Sequence, residues 1–242
     1  MRKPILEVVV TSAQEAVAAT AGGADRLELA ADLEVDGIAP SVKEFMRTRD
    51  AVGIPLRIML RDRGGFQPAD PEELRAIASA LRAEGAEEFV LGFLTSDGAL
   101  DLLAVQALLE VIPGCRWTFH RALDHAADRH AVRRAIDGLP GLDTVLSAGC
   151  VTQVRDGLDV LTEEAGRQGE PGYTMAMMAG GGLEPKDLPL LRARGIGAFH
   201  IGTAARQGAW DTPVDPIAVR CWRQHIETAL EVIPPAAGRV DV

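Results

Sequence analysis

Acidic, basic and imidazole side chains set inside otherwise apolar runs are the groups of this chain able to move protons or hold charged ligands. Glu7 interrupts ILEVVV (5–10), and Glu28 interrupts DRLELA (25–30). Because alternate residues of an extended run share a face, Ile5, Glu7 and Val9 point one way, as do Arg26, Glu28 and Ala30 in the second run. Two carboxylates turned toward each other inside a fold repel, which raises the pKa of one and suits it to general acid or base work. The same burial also suits a structural ion pair with an arginine. LRDRGGF places Arg61 where a guanidinium can grip a carboxylate or phosphate in bidentate fashion. WTFHRALD gathers His120, Arg121 and Asp124 in the densest polar cluster at the end of any apolar run. His120 reads as a proton relay working mostly in its neutral form, because Arg121 beside it disfavours an imidazolium. The competing assignment is a packed histidine with Asp124 as a helix cap.

Two glycine-rich stretches add a different chemistry. MAGGGLEP carries Gly180, Gly181 and Gly182, and FHIGTAA carries His200, Gly202 and Thr203. Such turns present backbone N–H groups to an oxyanion or phosphate, although they also arise for steric reasons, and Glu184 opposes an anion unless it points away. Lysines occur only at Lys3, Lys43 and Lys186, none at the end of an apolar run, so Schiff-base chemistry is not expected. No HExxH spacing and no Ser-His-Asp order occurs. Met175, Met177 and Met178 read as core filling, with Cu(I) ligation as the other use of a thioether. No metal ligands are assigned.

The elements that must position these groups follow a regular order. Short apolar runs fall at 5–10, 25–30, 55–60, 88–93, 116–120, 143–148, 174–179 and 198–202. Helical patterns separate them: 13–23, 41–52, 70–85, 101–112, 130–139, 152–166, 184–195 and 216–232. Asp70 before Pro71 and Glu184 before Pro185 mark helix starts, and Gly85 and Gly195 mark helix stops. Strict strand–helix alternation demands parallel strands with right-handed crossovers. Eight units in 242 residues predict a single (β/α)8 barrel over 1–233, with a disordered tail at 234–242. A doubly wound open sheet is the alternative, but SAQEA after the first run is no nucleotide-binding glycine turn. In a barrel, chemistry belongs at the C-terminal ends of the strands, where the polar groups above fall.

Composition narrows the partners. Hydrophobic residues make up 47% and charged residues 25%, too apolar for a disordered chain. A net charge of −10 and 4% aromatic residues argue against nucleic acid. No apolar run spans a bilayer, and the N-terminal apolar stretch meets Glu7 too early for a signal peptide, so a cytoplasmic protein is expected. Cys115, Cys150 and Cys221 are too few and scattered for a disulfide framework.

ILEVVVTS, ADRLELA, GIAPS, LRDRGGF, TFHRALD, VLSAG and AGGGL, in that order, resemble the CutC family from about Ile5 to about Ala205. The resemblance implies a TIM barrel, self-association into a homo-oligomer, a cytoplasmic location and a role in copper homeostasis with copper as ligand. Family members often carry cysteines where this chain has Val9, Val10 and Ala30, and valine offers copper no ligand. Glu7, Glu28, Arg61, His120, Arg121, Asp124 and His200 match the family's polar positions. The expectation is therefore an acid–base enzyme, an isomerase or lyase, acting on a small anionic, phosphorylated or sugar-like metabolite. Glu7, Glu28 and His120 are its expected catalytic groups. Arg61, Arg121, Asp124, Gly180, Gly181, Gly182, His200, Gly202 and Thr203 are expected to bind substrate. The rivals are a Cu(I)-binding protein using His120, His200, a cysteine or the Met175/Met177 pair, and a hard-metal enzyme using two carboxylates and a histidine.

Overall fold

Alternation along each apolar run decides which side chains face the inside of a closed sheet and which face the helices around it. The structure, a computed structural model, describes residues 3–229, so the expected tail at 234–242 lies outside the described residues. Eight strands form: β1 (Ile5–Val10), β2 (Arg26–Leu29), β3 (Leu56–Met59), β4 (Glu88–Leu91), β5 (Arg116–Phe119), β6 (Leu142–Ser147), β7 (Ala176–Gly180) and β8 (Ala198–Ile201). All neighbours are parallel, in chain order, and β8 pairs with β1 to close the barrel. The expected (β/α)8 architecture is the one observed.

The helices are α1 (Ala13–Gly22), α2 (Val42–Ala51), α3 (Pro71–Ala83), α4 (Leu102–Val111), α5 (Arg129–Ile136), α6 (Leu158–Gly166), α7 (Leu188–Ala193) and α8 (Pro216–Thr228). Their starts are chemically marked. Ser12, Ser41, Asp70, Asp101, Asp128 and Asp215 each accept a backbone N–H of the first turn, satisfying a donor that has no partner within the helix. Gly85 and Gly195 take the left-handed conformation expected after a helix end. Two elements depart from the expected runs. The stretch at 152–166 opens with a 3-10 turn over Val154–Gly157 before α6, and 184–195 does the same over Pro185–Asp187 before α7. In the first, Val154 donates its N–H to the Gly181 carbonyl, and Gly157 packs its backbone on Gly149 too closely for any Cβ. These tertiary contacts hold the segment out of α-helical geometry.

Leu6, Val8 and Val10 of β1, and their counterparts Leu27, Leu29, Phe89, Leu91, Trp117 and Phe119, form the core between sheet and helices. The inward face is mixed. Val9, Ala30, Met59 and Val90 form one small apolar cluster, and Leu146, Met178 and Ala198 another. Near the N-terminal ends of the strands, Arg57 fills the barrel: it donates to Glu88 at 3.0 Å, to both Asp143 oxygens at 2.7 Å and to Thr118 Oγ1. The cross-strand register Arg57↔Glu88↔Arg116 places opposite charges beside one another, as a stable ladder requires.

Candidate active site

At the opposite, C-terminal end, the loops enclose a cavity of about 320 Å³, within the size range of sites for small metabolites. Glu28, Arg61, His120, Arg121 and His200 line it, with Gly181, Gly182, Gly202 and Thr203. The strand ends thus bring nine of the twelve expected residues to one space. The other three, Glu7, Asp124 and Gly180, do not reach its lining.

Glu7 sits one step below. The register sets Arg26, Glu7 and His200 side by side across β2, β1 and β8. Glu7 is fully buried, accepts from Arg26 Nε through one oxygen and lies 2.8 Å from His200 Nδ1 through the other. Burial alone pushes its carboxyl up, but the Arg26 guanidinium and the His200 hydrogen bond outweigh it and hold the group well below the usual carboxylate range. Glu7 is therefore the ion-paired carboxylate. Glu28 is the other kind: burial raises its pKa, and its Oε2 is buried with no hydrogen-bond partner. The two alternatives for a buried glutamate are realised once each.

His120 is 4% exposed and its Nδ1 accepts the Ala122 N–H at 3.2 Å, which assigns the proton of the neutral ring to Nε2. That Nε2 is buried without a partner. Burial first, and the Arg61 charge second, lower the His120 pKa far below its ordinary value, so the ring is a neutral N–H donor. Among the described lining residues, Glu28 and His120 are the two with orphaned, buried side-chain polar atoms. His200 has the opposite polarity. Burial pulls its pKa down, but Glu28 and the Glu7 hydrogen bond more than compensate and raise it.

Arg61 is buried and donates only to backbone carbonyls, those of Gly37 (2.8 Å), Asp36 and Gly65 (3.4 Å). Its charge has no carboxylate ion pair among the described residues. Arg121 donates Nε to Asp124 and Nη2 to the carbonyls of Cys150, Val151 and Thr152, and its guanidinium lies flat against Gly181, where a Cβ would collide with it. Asp124 is neither a ligand-facing group nor a helix cap. It accepts from Arg121, Arg129 (3.1 Å), Ser147 Oγ (2.6 Å) and the Ala148 N–H (2.8 Å), tying the end of β5 to the end of β6. Gly180 packs against His200 and Leu146, with a Cβ there 2.8 Å from each. Glu184 pairs with Lys186 outside the lining and leaves the glycine turn free of its charge.

Sequence reasoning passed over Phe66, His125 and Trp210, which also line the cavity. Phe66 lies tilted against His125, ring centroids 4.6 Å apart, and meets His120 edge-on at 5.7 Å. Trp210 covers Gly202 and carries Arg206 over its ring at 5.5 Å. All three lie outside the strands, where no periodicity flags them. The available signal is scarcity: with only 4% aromatic residues, a tryptophan in a loop after a strand is informative. Arg26 was visible beside Glu28 in the alternation but had no partner assigned to it.

Copper requires soft ligands, and the residues present do not supply them. Among the described residues, Met59 is the one that brings sulfur to the cavity lining. Cys115 is buried just before β5, Cys221 lies exposed on α8, and Cys150 is outside the lining with its Sγ 3.2 Å from Thr152 Oγ1. Met175 and Met177 belong to the core between sheet and helices, so the expected Met pair is packing rather than a ligand set. Glu7, Glu28 and His200 come within 4.8 Å of one another. Both Glu7 oxygens are already taken, one by an arginine, which also opposes a hard cation.

An eight-stranded parallel barrel ringed by helices, with a polar cavity at its C-terminal mouth, has the TIM-barrel architecture. The chain belongs to the CutC family, whose sequence profile matches residues 4–205. It is 33% identical over 204 residues to the human copper homeostasis protein cutC homolog, covering 81% of this chain and 72% of that one. It is equally similar to a CutC family protein of Xanthomonas campestris pv. campestris, over 83% of both chains. Its fold matches the crystal structure of a CutC protein from Streptococcus agalactiae with a TM-score of 0.73, at 22% identity, over 83% of this chain and 98% of that one.

Proposed function

We propose that the protein is an enzyme that transfers protons on a small anionic hydroxycarbonyl metabolite, through an isomerisation or elimination. The observation that carries this reading is the pair of orphaned atoms, Glu28 Oε2 and His120 Nε2, in one cavity. Buried polar atoms without partners are costly, and a ligand that supplies an acidic C–H to one and a carbonyl oxygen to the other explains both. Glu28, with its raised pKa, is suited to take up and return a carbon-bound proton near neutral pH. His120 donates Nε2–H to the oxygen on which negative charge develops, and its neutrality avoids transferring the proton outright. The unpaired Arg61 charge, with Arg121 and the Gly181–Gly182 and Gly202–Thr203 turns, supports binding of the ligand's anionic group. The three free cysteines accord with a reducing, cytoplasmic setting.

A role in copper homeostasis is the second reading, favoured by the names of the relatives. The hard donors and single thioether of the cavity do not fit Cu(I).

The test is hydrogen exchange. The protein is incubated in D2O with small phosphorylated and carboxylated hydroxyaldehydes and hydroxyketones, and loss of C–H signal is followed by proton NMR. The expected result is enzyme-dependent exchange that Glu28→Gln lowers by about 100-fold or more. No exchange of any of these compounds by the intact protein overturns the reading.

A further inference from the structure

The two carboxylates and the histidine that meet beneath the cavity are built asymmetrically. Glu7 is saturated by Arg26 and His200, while Glu28 has an unpartnered oxygen and His200 makes no hydrogen bond through Nε2 among the described residues. His200 is held at its ring and at its Cβ. Its Nδ1 is bound by Glu7, Gly180 packs on its Cβ, and its ring lines the cavity beside Glu28. A histidine with one nitrogen fixed by a carboxylate has its tautomer set and its basicity raised, and presents its second nitrogen for proton transfer.

We propose that Glu28 and His200 hold one proton between them and exchange it with the ligand, His200 being a second catalytic group and Glu7 the residue that positions it. This rests on the proton-transfer reading above and specifies its substrate class as an α-hydroxycarbonyl compound. The carboxylate of Glu28 takes the proton from the carbon next to the carbonyl, and the C–H electron pair becomes the C=C bond of an enediol. The carbonyl π pair moves to oxygen, which takes the Nε2 proton of His200, with His120 Nε2–H donating to that oxygen. In the return step the neutral His200 removes the proton of the neighbouring hydroxyl as its C–O bond becomes C=O. Glu28 then gives its proton to the other carbon. No proton is gained or lost overall, and no oxidant or reductant is needed.

The charged groups facing this pair are Glu7 from β1, Arg26 from β2 and Arg61 after β3, with His120 at the end of β5 kept neutral. From β7, Gly180 packs on His200 and Met178 accepts from Arg26. The two carboxylates therefore set the protonation of His200.

The test needs no substrate. Two-bond proton–nitrogen NMR of protein labelled with 15N-histidine is recorded across a pH series, and His200 is assigned by its loss in His200→Gln. The expected result is Nδ1 protonated throughout and Nε2 titrating. The midpoint moves to lower pH in Glu28→Gln, and in Glu7→Gln the fixed tautomer is lost. A neutral ring carrying its proton on Nε2, or a midpoint that Glu28→Gln leaves unmoved, overturns the proposal. Exchange activity with an uncoupled His200 sinks the relay alone, whereas a coupled His200 in a protein without exchange activity sinks the enolisation reading.

Discussion

Glu7 and Glu28 are the same residue type on adjacent strands, both with buried side chains, yet they titrate in opposite directions because only Glu7 has a guanidinium in contact. The consequence for stability has opposite signs. A carboxyl whose pKa is raised in the folded state destabilises the fold progressively as pH rises above its ordinary 4.5 and through its folded value. A carboxyl whose pKa is depressed contributes stability above 4.5 that is lost as pH falls toward its folded value. Thermal melts across pH should therefore show Glu28→Gln gaining on the parent protein as pH rises from acid to neutral. Glu7→Gln should lose about 3–5 kcal/mol at neutral pH, because Arg26 is left buried without its counter-charge, and the deficit should shrink on acidification below 4.5. Parallel profiles for the two variants would contradict the opposite shifts of the two glutamates.

Strand ends and the loops that follow them do different work at the two glycine stretches. Gly180 lies where β7 and β8 run side by side, and an added Cβ meets both the His200 side chain and its carbonyl. Gly180→Ala should cost about 1–3 kcal/mol, since backbone has to move. The nearest obstacle to a side chain at Gly202 is the Trp210 ring in a surface loop. Gly202→Ala should therefore keep stability within about 1 kcal/mol while displacing Trp210. Increased acrylamide quenching of tryptophan emission, with an unchanged melting temperature, would confirm it. Strand positions were legible because period-2 alternation and the strand–helix order are local properties of the chain. The 3-10 turns before α6 and α7 were not, because contacts from other units impose them.

Across the whole barrel, charge is divided between two ends. The N-terminal end is closed by Arg57 with Glu88, Asp143 and Thr118, all mutually satisfied, whereas the C-terminal end leaves Glu28, His120 and Arg61 without full compensation. Satisfied networks stabilise a fold, whereas buried polar atoms without partners cost stability. Arg57→Ala should lower stability by about 3–5 kcal/mol, measured by denaturant unfolding, because Asp143 loses its cation and Glu88 one of its two. The distribution of sulfur bears on copper in the same way. A competition titration of the reduced protein against a Cu(I) chelator should show no affinity tighter than about micromolar, with sulfur ligands dispersed over core, loop and outer helix. Stoichiometric tight binding would overturn this.

The sequence by itself determined the eight-fold strand–helix order, the shared faces of the first two runs and the strand-end stretches that supply nine residues of the cavity, because these follow from periodicity and helix-end signals that act within one unit. It also placed two glutamates within neighbouring apolar runs. Which of them is shifted up and which down, which nitrogen His120 leaves free, that Asp124 joins strand ends and that Trp210 covers Gly202 were decided by tertiary structure alone. Each depends on the partner that another strand or loop brings within hydrogen-bonding or van der Waals reach, and at distances of a few ångströms in a buried site that partner sets the charge.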